Sequence, residues 1–256
     1  MQWEYAMLGL AAGVLVGISG VGGGSLVTPA LTIFGVPAAV AVGTDLAFAA
    51  ITKAFGTVVH RAQGSVDWRT AGLLAAGSCP AAALTVALLG ATGMDAHSRL
   101  ITVMLSIALI LTALSLCLDR SRVARAALRA GERLKRYRGA MTVAAGISLG
   151  VLVTLSSIGA GALGAMFLVV LHPRLAARRI AATDIAHAVP LTLVAGAGHL
   201  WLGTVDGALL ASLLAGSIPG IVLSSLLAGR LPERLVRSLL ALVLFAAGTR
   251  FALSAA

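Results

Sequence analysis

Gly13 to Leu31 reads GVLVGISGVGGGSLVTPAL, and Gly150 to Leu168 reads GVLVTLSSIGAGALGAMFL. An offset of 137 aligns Gly13-Val14-Leu15-Val16 with Gly150-Val151-Leu152-Val153, Ser19 with Ser156, Gly22 with Gly159, Gly24 with Gly161 and Leu26 with Leu163. With an offset of 139 the match continues: Thr44-Asp45-Leu46-Ala47 meets Thr183-Asp184-Ile185-Ala186, Gly64-Ser65-Val66-Asp67 meets Gly203-Thr204-Val205-Asp206, and Gly77-Ser78-Cys79-Pro80 meets Gly216-Ser217-Ile218-Pro219. The chain is two diverged copies of one unit, each opening with an apolar segment that glycines interrupt. Interrupted apolar helices in matching positions of two repeats point to the substrate site of a membrane carrier.

Composition supports that setting. Of 256 residues, 59% are hydrophobic and 11% charged, with a mean hydropathy of +1.01. A soluble domain is nearer ~45–50% apolar, so this is a polytopic membrane protein. A spanning helix takes about 20 residues, leaving almost nothing for an extramembrane domain. The net charge of +10 sits in loops and one linker, where it acts as a topology signal. No aromatic-basic patch accompanies it, so nucleic acid is excluded as a partner. Met1-Gln2-Trp3-Glu4-Tyr5 lacks a basic n-region, and the first segment is expected to stay in the mature protein. Cys79 and Cys117 have no metal-type spacing and read as small apolar-segment residues. No metal and no cofactor is expected.

Apolar runs bounded by Gly, Pro and charge predict helices over Tyr5 to Ser19 and Ser25 to Phe34, then Thr44 to His60, Thr70 to Leu89 and Ser98 to Leu118. The second copy gives Gly139 to Ser156, Gly161 to Leu171, Thr183 to Leu202, Asp206 to Ala228 and Glu233 to Leu253. The units are therefore a first transmembrane repeat over 1–118, a linker over 119–138 and a second repeat over 139–256. The linker carries eight Lys/Arg against two acids and reads as a short amphipathic or irregular cytoplasmic segment.

If each interrupted segment is a single crossing, the loops sort 11 basic residues against 7. If each turns back, as a re-entrant pair or two short crossings, the division becomes 16 against the two residues Arg99 and Arg250. The positive-inside rule favours the second arrangement. Each repeat then crosses an odd number of times, which inverts one relative to the other. The linker falls in the cytoplasm and both termini outside it.

Gly20-Val21-Gly22-Gly23-Gly24-Ser25 and its twin Ser156-Ser157-Ile158-Gly159-Ala160-Gly161 break helices at membrane depth. Free backbone amides there are costly unless buried in protein or lining a polar cavity. A half-helix starting at such a break aims N–H groups and a positive dipole end at the cavity, which suits an anion. The bland alternative is that the glycines only permit close helix packing. Thr44-Asp45 and Thr183-Asp184 each look like the opening of a helix with its N-cap. The alternative for Asp45 and Asp184 is proton coupling, because an acid at membrane depth tends to be functional. Lys53 stands inside the apolar run Leu46 to Val59, with no acid three or four residues away. It must face a cavity, pair with a distant acid or bind an anion, unless it snorkels. Its counterpart is Thr192. His187, one turn after Asp184, is a candidate proton relay. His60 and His199 read as interfacial capping residues at helix ends. Pro80 and Pro219 predict matching kinks, and Pro190 a third. Gly17-Ile18-Ser19-Gly20 fits the nucleophile pattern of rhomboid-type intramembrane proteases, but its twin loses both glycines. No catalytic residue is assigned.

Gly20 to Pro29, Gly43-Thr44-Asp45-Leu46 with Thr52-Lys53, and His60 with Gly64-Ser65-Val66-Asp67-Trp68 together resemble the TauE/SafE sulfite exporter family. Ala182-Thr183-Asp184-Ile185-Ala186-His187 and Gly203-Thr204-Val205-Asp206 are similar to that family's second repeat. The resemblance implies a multi-pass transporter of a small sulfur-containing anion, sulfite or an organosulfonate, in a bacterial cytoplasmic membrane. The second repeat departs from the pattern in keeping only Gly159 and Gly161 of the glycine run and in having Met166 where the first has Pro29.

The expectation is thus an all-α membrane protein of two inverted repeats, each opening with a Gly-broken helix or re-entrant helical hairpin. Gly22, Gly23, Gly24, Ser25, Lys53, Ser156, Ser157, Gly159 and Gly161 are the substrate-binding candidates. Asp45, Asp184 and His187 are the proton-coupling candidates. Thr44 and Thr183 are structural caps, and Pro80, Pro190 and Pro219 structural kinks. The partners are a small anion and the lipid bilayer, with a homo-oligomer left open. A passive anion channel is the alternative.

Overall fold

The computed structural model describes residues 3–19, 24–62, 65–92, 98–134, 137–227 and 233–255. Every element among them is helical: α1 (Trp3–Ser19), α2 (Gly24–Ile33), α3 (Ala38–Ala62), α4 (Trp68–Thr92), α5 (Ser98–Cys117), α6 (Arg120–Leu134), α7 (Arg138–Ser156), α8 (Ala162–Leu171), α9 (Ala177–Trp201), α10 (Gly207–Leu227) and α11 (Glu233–Ala255). Four helices, Trp68–Thr92, Arg99–Cys117, Arg138–Ser156 and Ala177–Trp201, are long and apolar enough to cross a membrane. By contrast α2 and α8 have ten residues each. They rise about 15 Å, half the ~30 Å hydrocarbon core. The interrupted segments predicted from the glycines are therefore each a longer helix followed by a half-length one.

Burial is distributed as a membrane protein requires. Leu84, Leu88, Leu242 and Leu253 are more than half exposed, whereas Thr44, Asp45, Lys53, Asp184 and His187 are buried. Polar atoms inside and leucines outside are what a lipid solvent selects. A cavity of about 560 Å³ belongs to that outer surface. It is an apolar groove lined by α4, α5 and α7 residues such as Leu84, Leu88, Leu100 and Val151.

The two halves interlock. α1 lies along α10, and α4 along α7. On the first seam Gly9 and Gly13 meet the backbone of Leu213 and Ser217, and Gly216 meets Ala6. On the second, Gly146 and Gly150 meet the backbone of Leu74 and Ser78, and Gly77 meets Val143. A Cβ at any of these glycines would collide with main chain, so the small residues set the approach of the helices. The offsets of 137 and 139 carry the first set of contacts onto the second. Two further large seams, α3 with α9 and α5 with α11, each join a helix to its own counterpart, and α4 also packs on α9. Leu105 and Leu109 of α5 pack with Leu240 and Leu244 of α11 in one buried cluster, and Ile158 joins them.

Helix starts differ from the sequence expectation. Pro37 accepts the first hydrogen bond of α3, from Ala41 N at 2.9 Å, so that helix begins at Ala38, and α9 begins at Ala177. Thr44-Asp45 and Thr183-Asp184 thus lie inside helices and do not open them. The alanine-rich stretches before them are good helix formers and extend the element. Thr44 and Thr183 still satisfy backbone, but across the molecule. Thr183 Oγ1 accepts from Asp67 N at 2.9 Å, and Thr44 Oγ1 accepts from Asp206 N at 3.0 Å. The N-caps proper are these aspartates. Asp67 Oδ1 accepts from Thr70 N, and Asp206 Oδ1 from Ala208 N and Leu209 N. Pro80, Pro190 and Pro219 lie within α4, α9 and α10, where each ring removes one helical hydrogen bond.

Candidate functional site

The second glycine break is held open by its backbone. α7 ends at Ser156, and Ser157 takes φ 58° in the left-handed region as its C-cap, with its N–H donating to Val153 O at 2.7 Å. Gly159 and Gly161 follow at φ 122° and 146°, conformations that only glycine adopts without strain. α8 then starts with no side chain capping its N-terminus. A left-handed serine costs about 1–2 kcal/mol in a geometry that commonly closes a helix C-terminus.

Side chains of both repeats converge on this break. Lys53, 6% exposed, sends its ammonium from α3 to the carbonyl of Ala160, donating at 2.8 Å across a sequence separation of 107. Its charge is in electrostatic range of both Asp45 on α3 and Asp184 on α9. Asp45 Oδ2 accepts a 2.6 Å hydrogen bond from Thr28 of the half-helix α2. Its Oδ1 is buried without a hydrogen-bond partner, as is Ser157 Oγ, which faces the same carboxyl without closing a bond to it. Asp184 Oδ1 is also buried without a hydrogen-bond partner. It packs directly on the Cα of Gly164 in the half-helix α8. Each half-helix therefore abuts the aspartate of its own repeat, with a hydroxyl in one case and bare backbone in the other.

His187, on the turn after Asp184, is fully buried. Its Nε2 is 2.9 Å from Ser78 Oγ of α4, while Nδ1 has no hydrogen-bond partner. His199, near the end of α9, is buried, with Nδ1 2.8 Å from Thr204 Oγ1 and Nε2 3.0 Å from the carbonyl of Thr154. It ties the end of α9 to α7. Ser156 spends its hydroxyl locally, donating to Leu152 O at 2.6 Å and accepting from Ile158 N at 3.1 Å. Thr192, the counterpart of Lys53, donates within its own helix to Ala188 O at 2.8 Å. The linker is helical as α6 and rests Val123 and Ala124 on the cluster containing Ala165 and Leu168 of α8.

Of the sequence candidates, Lys53, Asp45, Asp184, Ser157, Gly159 and Gly161 are brought together. His187 adjoins them through α9. Gly22 and Gly23 lie outside the described residues, as do the side chains of Ser19, Ser25 and His60; Gly24 is the first residue of α2. Sequence reasoning missed Thr28, Ser78, Ala160 and Gly164. Ser78 had a signal, since Gly-Ser recurs two residues before proline in both repeats; Thr28 and Gly164 had none, because α2 and α8 share no side chain at those places.

The family model described as Sulfite exporter TauE/SafE matches residues 5–251. The probable membrane transporter protein YjnA of Bacillus subtilis (strain 168) is 38% identical over 221 residues, covering 84% of this chain and 85% of that protein. No solved structure matches.

Proposed function

We propose that this chain, which belongs to the TauE/SafE sulfite exporter family and is a multi-pass membrane transporter, moves a small sulfur-containing oxyanion, sulfite or an organosulfonate, out of the cytoplasm in a step coupled to protons. The observation that carries the reading is the buried Lys53 ammonium set into the glycine break of the opposite repeat. A buried cation at membrane depth is expensive, and here it is aimed at the place where α8 presents uncapped amides. Cation and helix N-terminus together favour an anion.

In this reading the anion competes with the Ala160 carbonyl for Lys53 and takes hydrogen bonds from Ser157 Oγ and the first amides of α8. The first break, through Gly22 to Ser25, supplies the matching amides from the other half. Asp45 and Asp184 share the one lysine. An arriving anion would leave the cluster with excess negative charge, so a carboxyl takes up a proton as the anion binds and releases it as the anion leaves. His187 relays between Asp184 and Ser78. The two repeats are inverted, and alternating access comes from one rocking against the other along the glycine seams. The linker is cytoplasmic, both termini are outside, and the membrane is the bacterial inner membrane.

Reconstituted into liposomes, the protein should carry labelled sulfite with saturation, respond to an imposed pH gradient and be competed by sulfonates. Asp184→Asn should keep exchange and lose the response to the gradient. Flux that never saturates and ignores the gradient would replace the carrier with a passive anion channel.

A further inference from the structure

The linker helix α6 (Arg120–Leu134) carries five arginines against the single acid Glu132. A topology signal needs only the number of such charges, but here they are ordered along the helix. At about 100° per residue, Arg122, Arg125 and Arg129 fall within about 60° of one another, and all three are exposed. The partly buried Val123, Ala124 and Ala127 occupy the other side. Val123 and Ala124 rest on the cluster that includes Leu168, Val169 and Leu171 of α8. The helix spends its apolar side on protein and turns its arginines away from it.

The fold brings this stripe to the membrane surface. Two residues separate α6 from the spanning helix α5 and three from the spanning helix α7, so a helix about 22 Å long is tied at both ends to one end of the bundle. α4 and α7 run in the same direction, because Gly146 meets the backbone of Leu74 and Gly150 that of Ser78. Their first residues, Trp68 and Arg138, therefore share that end. Asp67 N donates to Thr183 Oγ1 in the second turn of α9, which brings the start of α9 there as well. Trp68 and Tyr137 are exposed, and aromatic rings at the ends of spanning helices sit at headgroup level.

We propose that Arg122, Arg125 and Arg129 of α6 form a docking surface for the anionic headgroups of membrane phospholipid at this end of the molecule. The guanidinium fork matches phosphate oxygens, and a basic cluster beside a spanning helix is drawn to an anionic leaflet. Two arginines of the stripe already have contacts within the chain. Arg122 Nε is 3.6 Å from Asp119 Oδ2, with 81% of its side chain exposed, and Arg125 Nε donates to the Ser121 carbonyl at 3.3 Å. Each contact uses one nitrogen of a group with five N–H donors, which leaves the fork for phosphate. Leu128, exposed beside the stripe, adds an apolar contact for the lipid. An acidic protein segment would meet the same charge, but the tether of α6 to two spanning helices favours lipid. This surface rests on the membrane setting and is independent of the anion carried.

The test compares purified protein in nanodiscs of phosphatidylcholine with and without phosphatidylglycerol. Thermal unfolding is read together with the phospholipid retained through detergent purification from a mixed-lipid membrane. Phosphatidylglycerol should raise the unfolding temperature of wild type by several degrees, less so as salt increases, and should be enriched severalfold in the retained lipid. Arg122→Gln/Arg125→Gln/Arg129→Gln should lose most of the shift and of the enrichment. Glutamine is a comparable helix former and the positions are exposed, so the helix is kept. Arg69→Gln/Arg174→Gln/Arg179→Gln removes equal charge from exposed positions at the same end and should keep both effects. Equal losses in the two variants would make the attraction a property of total charge and overturn the assignment to α6. A wild type indifferent to phosphatidylglycerol overturns it too. Stabilisation by soluble polyglutamate and not by the lipid would give the stripe to an acidic protein partner and overturn the lipid assignment. If the α6 variant does not survive purification, the salt and headgroup dependence of wild type and of the control variant decide.

Discussion

Ser157 is where local backbone and proposed chemistry can be separated. Its left-handed φ of 58° suits glycine better than serine, while its buried hydroxyl has no hydrogen-bond partner in the fold. Ser157→Gly should therefore relieve about 1 kcal/mol of strain and leave the unfolding temperature level or raised, while lowering anion flux severalfold. A drop in both would make the hydroxyl structural. His172, in the turn after α8, gives a pH-dependent counterpart. Burial, helped by the Arg138 guanidinium, holds its imidazole below the usual range, and Nε2 lies 3.0 Å from Thr142 Oγ1. Because the folded state resists the proton that the unfolded chain accepts, stability falls as pH drops below about 6.5 and is unaffected above it. Unfolding curves between pH 5 and 8 should show that fall in wild type and a smaller one in His172→Gln.

At the scale of elements, the reciprocal contacts of Thr44 and Thr183 carry the argument. Each hydroxyl satisfies the backbone N–H of an aspartate that starts a helix in the other half. Replacing either threonine by valine keeps the shape and strands a donor, at a cost of about 1–3 kcal/mol. Thr44→Val and Thr183→Val should each lower the unfolding temperature, and by similar amounts; a neutral effect would mean the two turns are held by something else. The same residues show what was legible in the sequence. Glycine runs located both helix breaks, because no other residue type interrupts an apolar segment that way. The helix starts were misplaced because Thr-Asp is a strong capping signal locally, and only the alanines upstream and Pro37 override it. The partner of Lys53 was invisible, since it is a main-chain carbonyl 107 residues away. A backbone acceptor leaves no trace in residue type. Thr28 and Gly164 were invisible for a related reason, their roles depending on which face of a half-length helix turns toward an aspartate.

For the whole molecule, the seams α1 with α10 and α4 with α7 exchange under the relation that exchanges the repeats. We propose that the repeats run oppositely through the membrane, because that arrangement puts 16 basic residues on one side and two on the other. Reporter fusions within the linker and at the C-terminus should report opposite sides, the linker cytoplasmic. The same side for both would favour eight plain crossings and remove the inversion.

The proposed site stands or falls with the cation that joins the halves. The direct measurement is labelled sulfite flux into proteoliposomes holding wild type or Lys53→Ala, in sodium-free buffer under an imposed pH gradient, with incorporation of both proteins matched. Saturable, gradient-dependent flux in wild type that drops by tenfold or more in Lys53→Ala is the expected result. Equal flux in the two would contradict the account, because the buried ammonium at the second break would then have no part in carrying the anion.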